Sequence, residues 1–190
     1  MDWIEEIRSA WKGHRRFAEV MANYFKNPVI VELGVDYGYS AFCFANALTN
    51  KEGNVYGVDK FEGDEHAGIR DTYDFVKDII AARNIKNLHI IKGDFQEVAI
   101  SWNTKIDILH IDGFHTFEAV QSDFTSWYPH LKEGGVVLFH DTAIESFGIK
   151  TFFDTLTDGY KLNFTHSAGL GIYTKNKDLY DFILSNFDVR

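Results

Sequence analysis

Four short apolar runs in this chain each stop on a glycine or a carboxylate. They are Val29-Ile30-Val31-Glu32-Leu33-Gly34, Val55-Tyr56-Gly57-Val58-Asp59, Ile106 to Ile111 followed by Asp112, and Val136-Val137-Leu138-Phe139 followed by His140-Asp141. Runs this short and this continuously apolar are strands covered on both faces, as parallel sheets require. Leu88 to Lys92 reads as a further strand. Between the strands lie segments with helical spacing, at Ser40 to Leu48, Asp71 to Arg83, Phe95 to Ile100 and Thr116 to Leu131. Strands alternating with helices require right-handed parallel crossovers and a doubly wound sheet. Phe147 to Thr157 is a last predicted helix, and Tyr160 to His166 with Gly169 to Lys175 form two strands about a Ser-Ala turn. The expectation is an α/β protein with a doubly wound, mostly parallel seven-stranded sheet and a C-terminal antiparallel hairpin. Asp2 to Phe25 reads as an amphipathic helix interrupted at Gly13, so residues 1–27 are an N-terminal helical cap and 28–190 the sheet-bearing part of one domain.

In open sheets of this kind ligands sit beyond the carboxyl ends of the strands, at the switch point. That is where the chain gathers its polar residues. Gly34 and Gly38, with Asp36 and Ser40 among them, form the turn from the first strand into its helix. Glycine there would let backbone approach a ligand closely. The spacing is GxxxG, not the GxGxxG that seats a dinucleotide pyrophosphate on a helix N-terminus. Asp59 ends the next strand, 27 positions after Glu32, where a carboxylate can accept both hydroxyls of a ribose. Asp94-Phe95-Gln96 ends the third strand with an aromatic edge and an amide suited to adenine.

Composition narrows the classes. Hydrophobic residues make up 45% of the 190, with seventeen Phe, which excludes a disordered segment. Lys+Arg 19 against Asp+Glu 28 gives a net charge of −9, which argues against a nucleic-acid partner. Cys43 has no cysteine to pair with, and the start MDWIEEIR has neither a basic nor an apolar leader region. No apolar run approaches the roughly 18 residues of a membrane span. A cytoplasmic protein with no membrane partner is expected; a homo-oligomer stays open.

VELGVDYGYSA resembles the first motif of catechol-type O-methyltransferases, and HIDGFHTFEAVQSDFTSW with GGVVLFHDT resembles macrocin-type sugar O-methyltransferases. The resemblance covers about Pro28 to Lys175 and implies a Rossmann-like class I methyltransferase that uses S-adenosylmethionine. It further implies that Glu32, Gly34, Asp36 and Ser40 line the methionine and ribose end, that Asp59 takes the ribose hydroxyls, and that Phe95 and Gln96 meet the adenine. Gly38, Asp94 and Asp112 complete the expected cofactor wall.

Asp112 and Asp141 terminate strands that this fold makes neighbours, about 4.8 Å apart. Two such carboxylates repel unless something neutralises them, and Mg²⁺ or a similar divalent cation is the natural answer. The catechol-type pattern has an amide after the second aspartate; Thr142 stands there in this chain, and its hydroxyl or a water is the expected substitute. A third carboxylate is sought in the Glu62 to Glu65 loop. His115 occupies the slot that holds the base in both groups, and a neutral imidazole can take a proton from a metal-acidified hydroxyl. His110 reads as a buried, satisfied side chain, His140 as a support for Asp141 or as packing, and Asp123 as scaffold. The expected activity is metal-dependent methyl transfer to a hydroxyl of a small molecule, a sugar or polyol. The alternatives are a non-catalytic nucleoside-binding module and a nicotinamide-dependent oxidoreductase.

Overall fold

The computed structural model describes residues 2–65 and 68–188. The chain opens with two 3₁₀ turns, Trp3–Glu6 and Trp11–His14, and then α1 (Arg15–Tyr24). There follow β1 (Val29–Leu33), α2 (Tyr39–Ala47), β2 (Asn54–Asp59), β3 (Gly63–Asp64), β4 (Gly68–Ile69), α3 (Tyr73–Ala82), β5 (Leu88–Lys92), α4 (Phe95–Ser101) and β6 (Ile106–Ile111). The rest is α5 (Phe117–Trp127), a 3₁₀ turn at Tyr128–His130, β7 (Leu131–His140), α6 (Ile149–Thr155), β8 (Tyr160–Phe164), β9 (Leu170–Thr174) and α7 (Lys177–Asn186).

Seven strands form one sheet in the order β5-β2-β1-β6-β7-β9-β8, and β3 pairs with β4 in a small antiparallel ribbon. The five strands from β5 to β7 are parallel neighbours, whereas β9 runs antiparallel to both β7 and β8. The chain leaves β1 toward β2 and β5, then returns to lay β6 on the other side of β1. The switch point therefore falls between Gly34 and Asp112. Successive residues face opposite layers, as the pleat demands. Ile30, Val55, Ile108, Val136 and Leu138 pack under the N-terminal segment, α1, α2 and α7, while Val31, Leu33, Leu109, Val137 and Phe139 pack under α4, α5 and α6.

Several elements depart from the sequence expectation. The N-terminal cap is not one helix, because Ile7 takes an extended conformation after the first turn. Ile4, Ile7 and Trp11 are all buried all the same, so their helix-like spacing reflects burial on one side of an irregular segment. The helix after Asp112 stops at Trp127, where Pro129 can offer no N–H to continue it. Gly134 and Gly135 lie inside β7, whose pairing with β6 jumps from Ile106↔Leu131 to Ile108↔Val136. The ribbon β3–β4 and helix α7, capped by Asn176 Oδ1, were not anticipated.

Candidate functional site

Beyond the carboxyl ends of β1, β2, β5, β6 and β7 lies a cavity of about 630 Å³, within the range that encloses a small ligand. Its walls combine the turn after β1, the strand ends and residues 8–10 of the N-terminal segment. Seven aspartates line it against Arg8, Lys60 and Arg70. Lys60 Nζ is already 2.8 Å from Asp94, and Arg70 grips Asp36 through Nε and Nη2 at 2.8 and 2.7 Å. A cationic ligand suits this wall better than a pyrophosphate.

Of the residues expected to hold a nucleoside, Gly34, Asp36, Gly38, Ser40, Asp59, Asp94, Phe95, Gln96 and Asp112 all line the cavity. Several are busy within the protein. Asp59 accepts Val35 N at 2.7 Å and Asp36 N at 3.0 Å on Oδ2, and Phe61 N at 2.6 Å on Oδ1, so it shapes the glycine turn. Asp94 caps α4 by accepting Gln96 N and Glu97 N. Glu32 does not reach the cavity. It is wholly buried, accepts the Ser40 hydroxyl, and contacts His110 Nδ1 at 2.9 Å. Burial raises its pKa above the ordinary glutamate value. His110 is thus only half satisfied, since among the described residues its Nε2 and Glu32 Oε2 have no partner.

The two glycines also act differently from expectation. A Cβ on Gly34 would lie 1.9 Å from the Asp112 carbonyl oxygen, and one on Gly38 would lie 2.8 Å from the Phe42 ring. These absences are filled by the protein itself.

At the reacting end, Asp112, His115 and Asp141 bring one potential ligand atom each within 4.8 Å of the others. His115 Nε2 is 3.0 Å from Asp141 Oδ2. His140 Nδ1 is 3.0 Å from Asp112 Oδ1 and 3.3 Å from Asp141 Oδ1, and its Nε2 faces the Ser167 carbonyl at 3.1 Å. Burial opposes charge on both imidazoles, yet the neighbouring carboxylates outweigh it, and both pKa values stand above the ordinary histidine value. Burial would raise Asp141, but its two histidine hydrogen bonds hold it well below the usual carboxylate range. The repulsion expected between Asp112 and Asp141 is therefore relieved by two histidines. Two carboxylates and an imidazole this close still make a donor set that fits a hard divalent cation. Thr142 is not part of it, because its hydroxyl is fully buried and donates to Asn163 Oδ1 at 2.6 Å. From the 62–65 loop it is Asp64 that lines the cavity, and its charge adds to the upward shift of His115.

Three further residues belong to the site. Phe147 stacks on His115 with centroids 4.3 Å apart and planes 6° from parallel, fixing the ring. Arg8 overhangs the cavity from the N-terminal segment. Asp123 sits on the cavity wall at 3% exposure. The last had a signal in the sequence: it shares the buried stripe of α5 with Val120 and Trp127.

Residues 31–142 match the family model of the methyltransferase domain. The chain belongs to that family. The protein y4gI of Sinorhizobium fredii is 32% identical over 180 residues, which cover 90% of this chain and 20% of that protein; the chain spans about a fifth of the length of this curated relative. Among solved structures, CalS11, a TDP-rhamnose 3'-O-methyltransferase of calicheamicin biosynthesis, superposes with a TM-score of 0.67 at 16% identity, covering 84% of this chain and 76% of that one. The Streptococcus mutans protein SMU.1697c, solved in complex with SAH, superposes with a TM-score of 0.61 at 13% identity, covering 83% of this chain and 95% of that one. Among the described residues no helix is long and apolar enough to cross a membrane.

Proposed function

We propose that this chain transfers a methyl group from S-adenosylmethionine to a hydroxyl of a small molecule, a sugar or polyol, with a divalent cation at the reacting end. The observation that carries the reading is the convergence of Asp112, His115 and Asp141 on the wall of the cavity that also holds the glycine turn, Asp59 and Phe95. CalS11 bears on the acceptor class and SMU.1697c on the cofactor. S-adenosylmethionine when bound supplies a methyl on a sulfonium, whose positive charge suits an aspartate-lined cavity. The acceptor hydroxyl lies near His115, which takes its proton on the ring nitrogen that Asp141 does not hold. Asp141 stabilises the resulting imidazolium, Phe147 keeps the ring in plane, and His140 Nδ1 bridges the Asp112 and Asp141 carboxylates. A cation would be held by Asp112 and Asp141 and would supply positive charge against an oxyanion.

The test is calorimetry with S-adenosylhomocysteine, followed by an acceptor screen with labelled S-adenosylmethionine, with and without chelator. Binding of the nucleoside with chelator-sensitive methylation of a sugar hydroxyl is expected. Full turnover after exhaustive chelation overturns the cation, and binding of NAD in place of the nucleoside overturns the whole reading.

A further inference from the structure

Asp123 is a carboxylate where the packing of α5 calls for an apolar side chain. It lies between Val120 and Trp127 on the buried stripe of that helix, both of them 1% exposed or less. Its Oδ1 accepts Gln96 Nε2 at 2.7 Å. Among the described residues no cation pairs with it and nothing donates to its Oδ2. That oxygen sits beside Phe95 and Gly113: a Cβ on Gly113 would meet Phe95 Cε2 at 2.7 Å and Asp123 Oδ2 at 3.1 Å. Gly113, Phe95, Gln96 and Asp123 all line the cavity. A buried carboxylate with no internal cation is costly, and a leucine or an asparagine would fill the stripe at lower cost. Burial pushes its pKa up to about 7, in keeping with a group that the protein itself does not neutralise.

We propose that Asp123 is the specificity residue for the base, its Oδ2 accepting the exocyclic amine of a purine whose face lies on Phe95. The inference rests on the S-adenosylmethionine reading and goes beyond it by naming the group that distinguishes a 6-amino from a 6-oxo purine. Gln96 sets the polarity of this reading. Because its amide donates to Oδ1, the atom of residue 123 turned toward Gln96 must be an acceptor, and the other oxygen is left for the ligand. An amine donor satisfies that oxygen. With the carboxyl ionised, the 6-oxo group of a deaminated base would place acceptor against acceptor, and a site built to hydrogen-bond one group rejects the analogue that cannot.

The experiment is calorimetry on the full chain with S-adenosylhomocysteine and with its deaminated counterpart, S-inosylhomocysteine. Wild type is expected to prefer the amino compound by about tenfold or more. In Asp123→Asn the side-chain carbonyl turns to Gln96 and its NH₂ to the ligand, so the preference inverts toward the 6-oxo compound. In Asp123→Leu, an apolar replacement that restores the stripe, the two affinities come within about twofold. Equal affinities in wild type overturn the proposal without any variant, and so does an undiminished preference for the amino compound in either variant. Wild type that binds neither compound overturns the cofactor reading itself. Thermal unfolding is measured for both variants, and Asp123→Leu decides the question where the asparagine variant does not fold.

Discussion

Gly34→Ala separates two reasons for a glycine at the end of β1. The sequence suggests room for a ligand; the structure shows a methyl directed at the partner strand. The new Cβ would lie 1.9 Å from the Asp112 carbonyl oxygen and 2.6 Å from its carbon. Ordinary contact begins at 3.4 Å, so β1 and β6 must part by about 1.5 Å at the switch point. Such a shift breaks the bond from Asp112 N to Leu33 O, now 2.8 Å, at a cost of about 1 kcal/mol. The backbone at φ +92° adds about 1–2 kcal/mol for a residue bearing a Cβ, and the strained packing of the two strand ends adds about as much again. The sum is about 3–5 kcal/mol, which for a chain of this size lowers Tm on the order of 10 °C. Differential scanning calorimetry reads this directly, and S-adenosylhomocysteine binding is measured at a temperature where the variant is folded. A variant with wild-type Tm but no nucleoside binding would refute the argument and return Gly34 to the ligand.

Other expectations follow from the same geometry. His115→Ala should leave nucleoside affinity within about twofold while lowering kcat by about 10²–10⁴; if His115 instead serves as a metal ligand, the concentration of Mg²⁺ needed for half-maximal rate rises and kcat at saturating metal recovers. Asp123 should make stability pH-dependent. Its folded pKa is raised to about 7 from 3.8, so an unfolded chain releases the proton first, and the stability it contributes is full below pH 4 and lost as pH rises toward 7. The loss is roughly 4 kcal/mol, seen in urea unfolding as a decline in wild type that Asp123→Asn does not share; parallel pH profiles would show the carboxyl to be hydrated.

The sheet was legible because its strands are buried on both faces, and a run such as Val136 to Phe139 has no other use. The ends of elements were less so. Leu131 reads as the last residue of a helix, yet the chain is already extended there because Lys132 reaches back to Asp107 at 2.8 Å and Leu131 pairs with Ile106. Partners far apart in sequence decide that. Most of the residues expected at the site do line the cavity, since strand ends and turns announce themselves. Which of their atoms are spoken for was not. Asp59 and Asp94 spend their carboxylates on nearby backbone N–H groups, and Thr142 spends its hydroxyl on Asn163. The resemblance places Glu32 at the methionine and ribose end, but strand alternation turns its side chain toward Ser40 and His110.

The pair His140-Asp141 carries a constraint of its own. Along a strand, consecutive side chains point to opposite faces, and a regular continuation of β7 would keep these two apart. Asp141 escapes that rule by taking φ +61°, the left-handed region that aspartate and asparagine enter more readily than other side chains. The result is that His140 Nδ1 lies within 3.3 Å of its own neighbour's Oδ1 while also reaching Asp112. Charge and backbone shape can therefore be removed one at a time. Asp141→Asn keeps the turn and discards the charge, so its stability should fall by only about 1–3 kcal/mol for weakened bonds to His115 and His140. Methylation should fall about 10–100-fold because the imidazoles lose the carboxylate that orients them. Asp141→Val loses the same charge and must also force a β-branched residue into the left-handed turn, which adds about 1–3 kcal/mol of strain. Denaturant unfolding of the two variants side by side gives the difference. If valine proves as stable as asparagine, the turn at residue 141 relaxes freely, and the meeting of His140 with both aspartates must be held by Ser167 and the rest of the cavity wall instead.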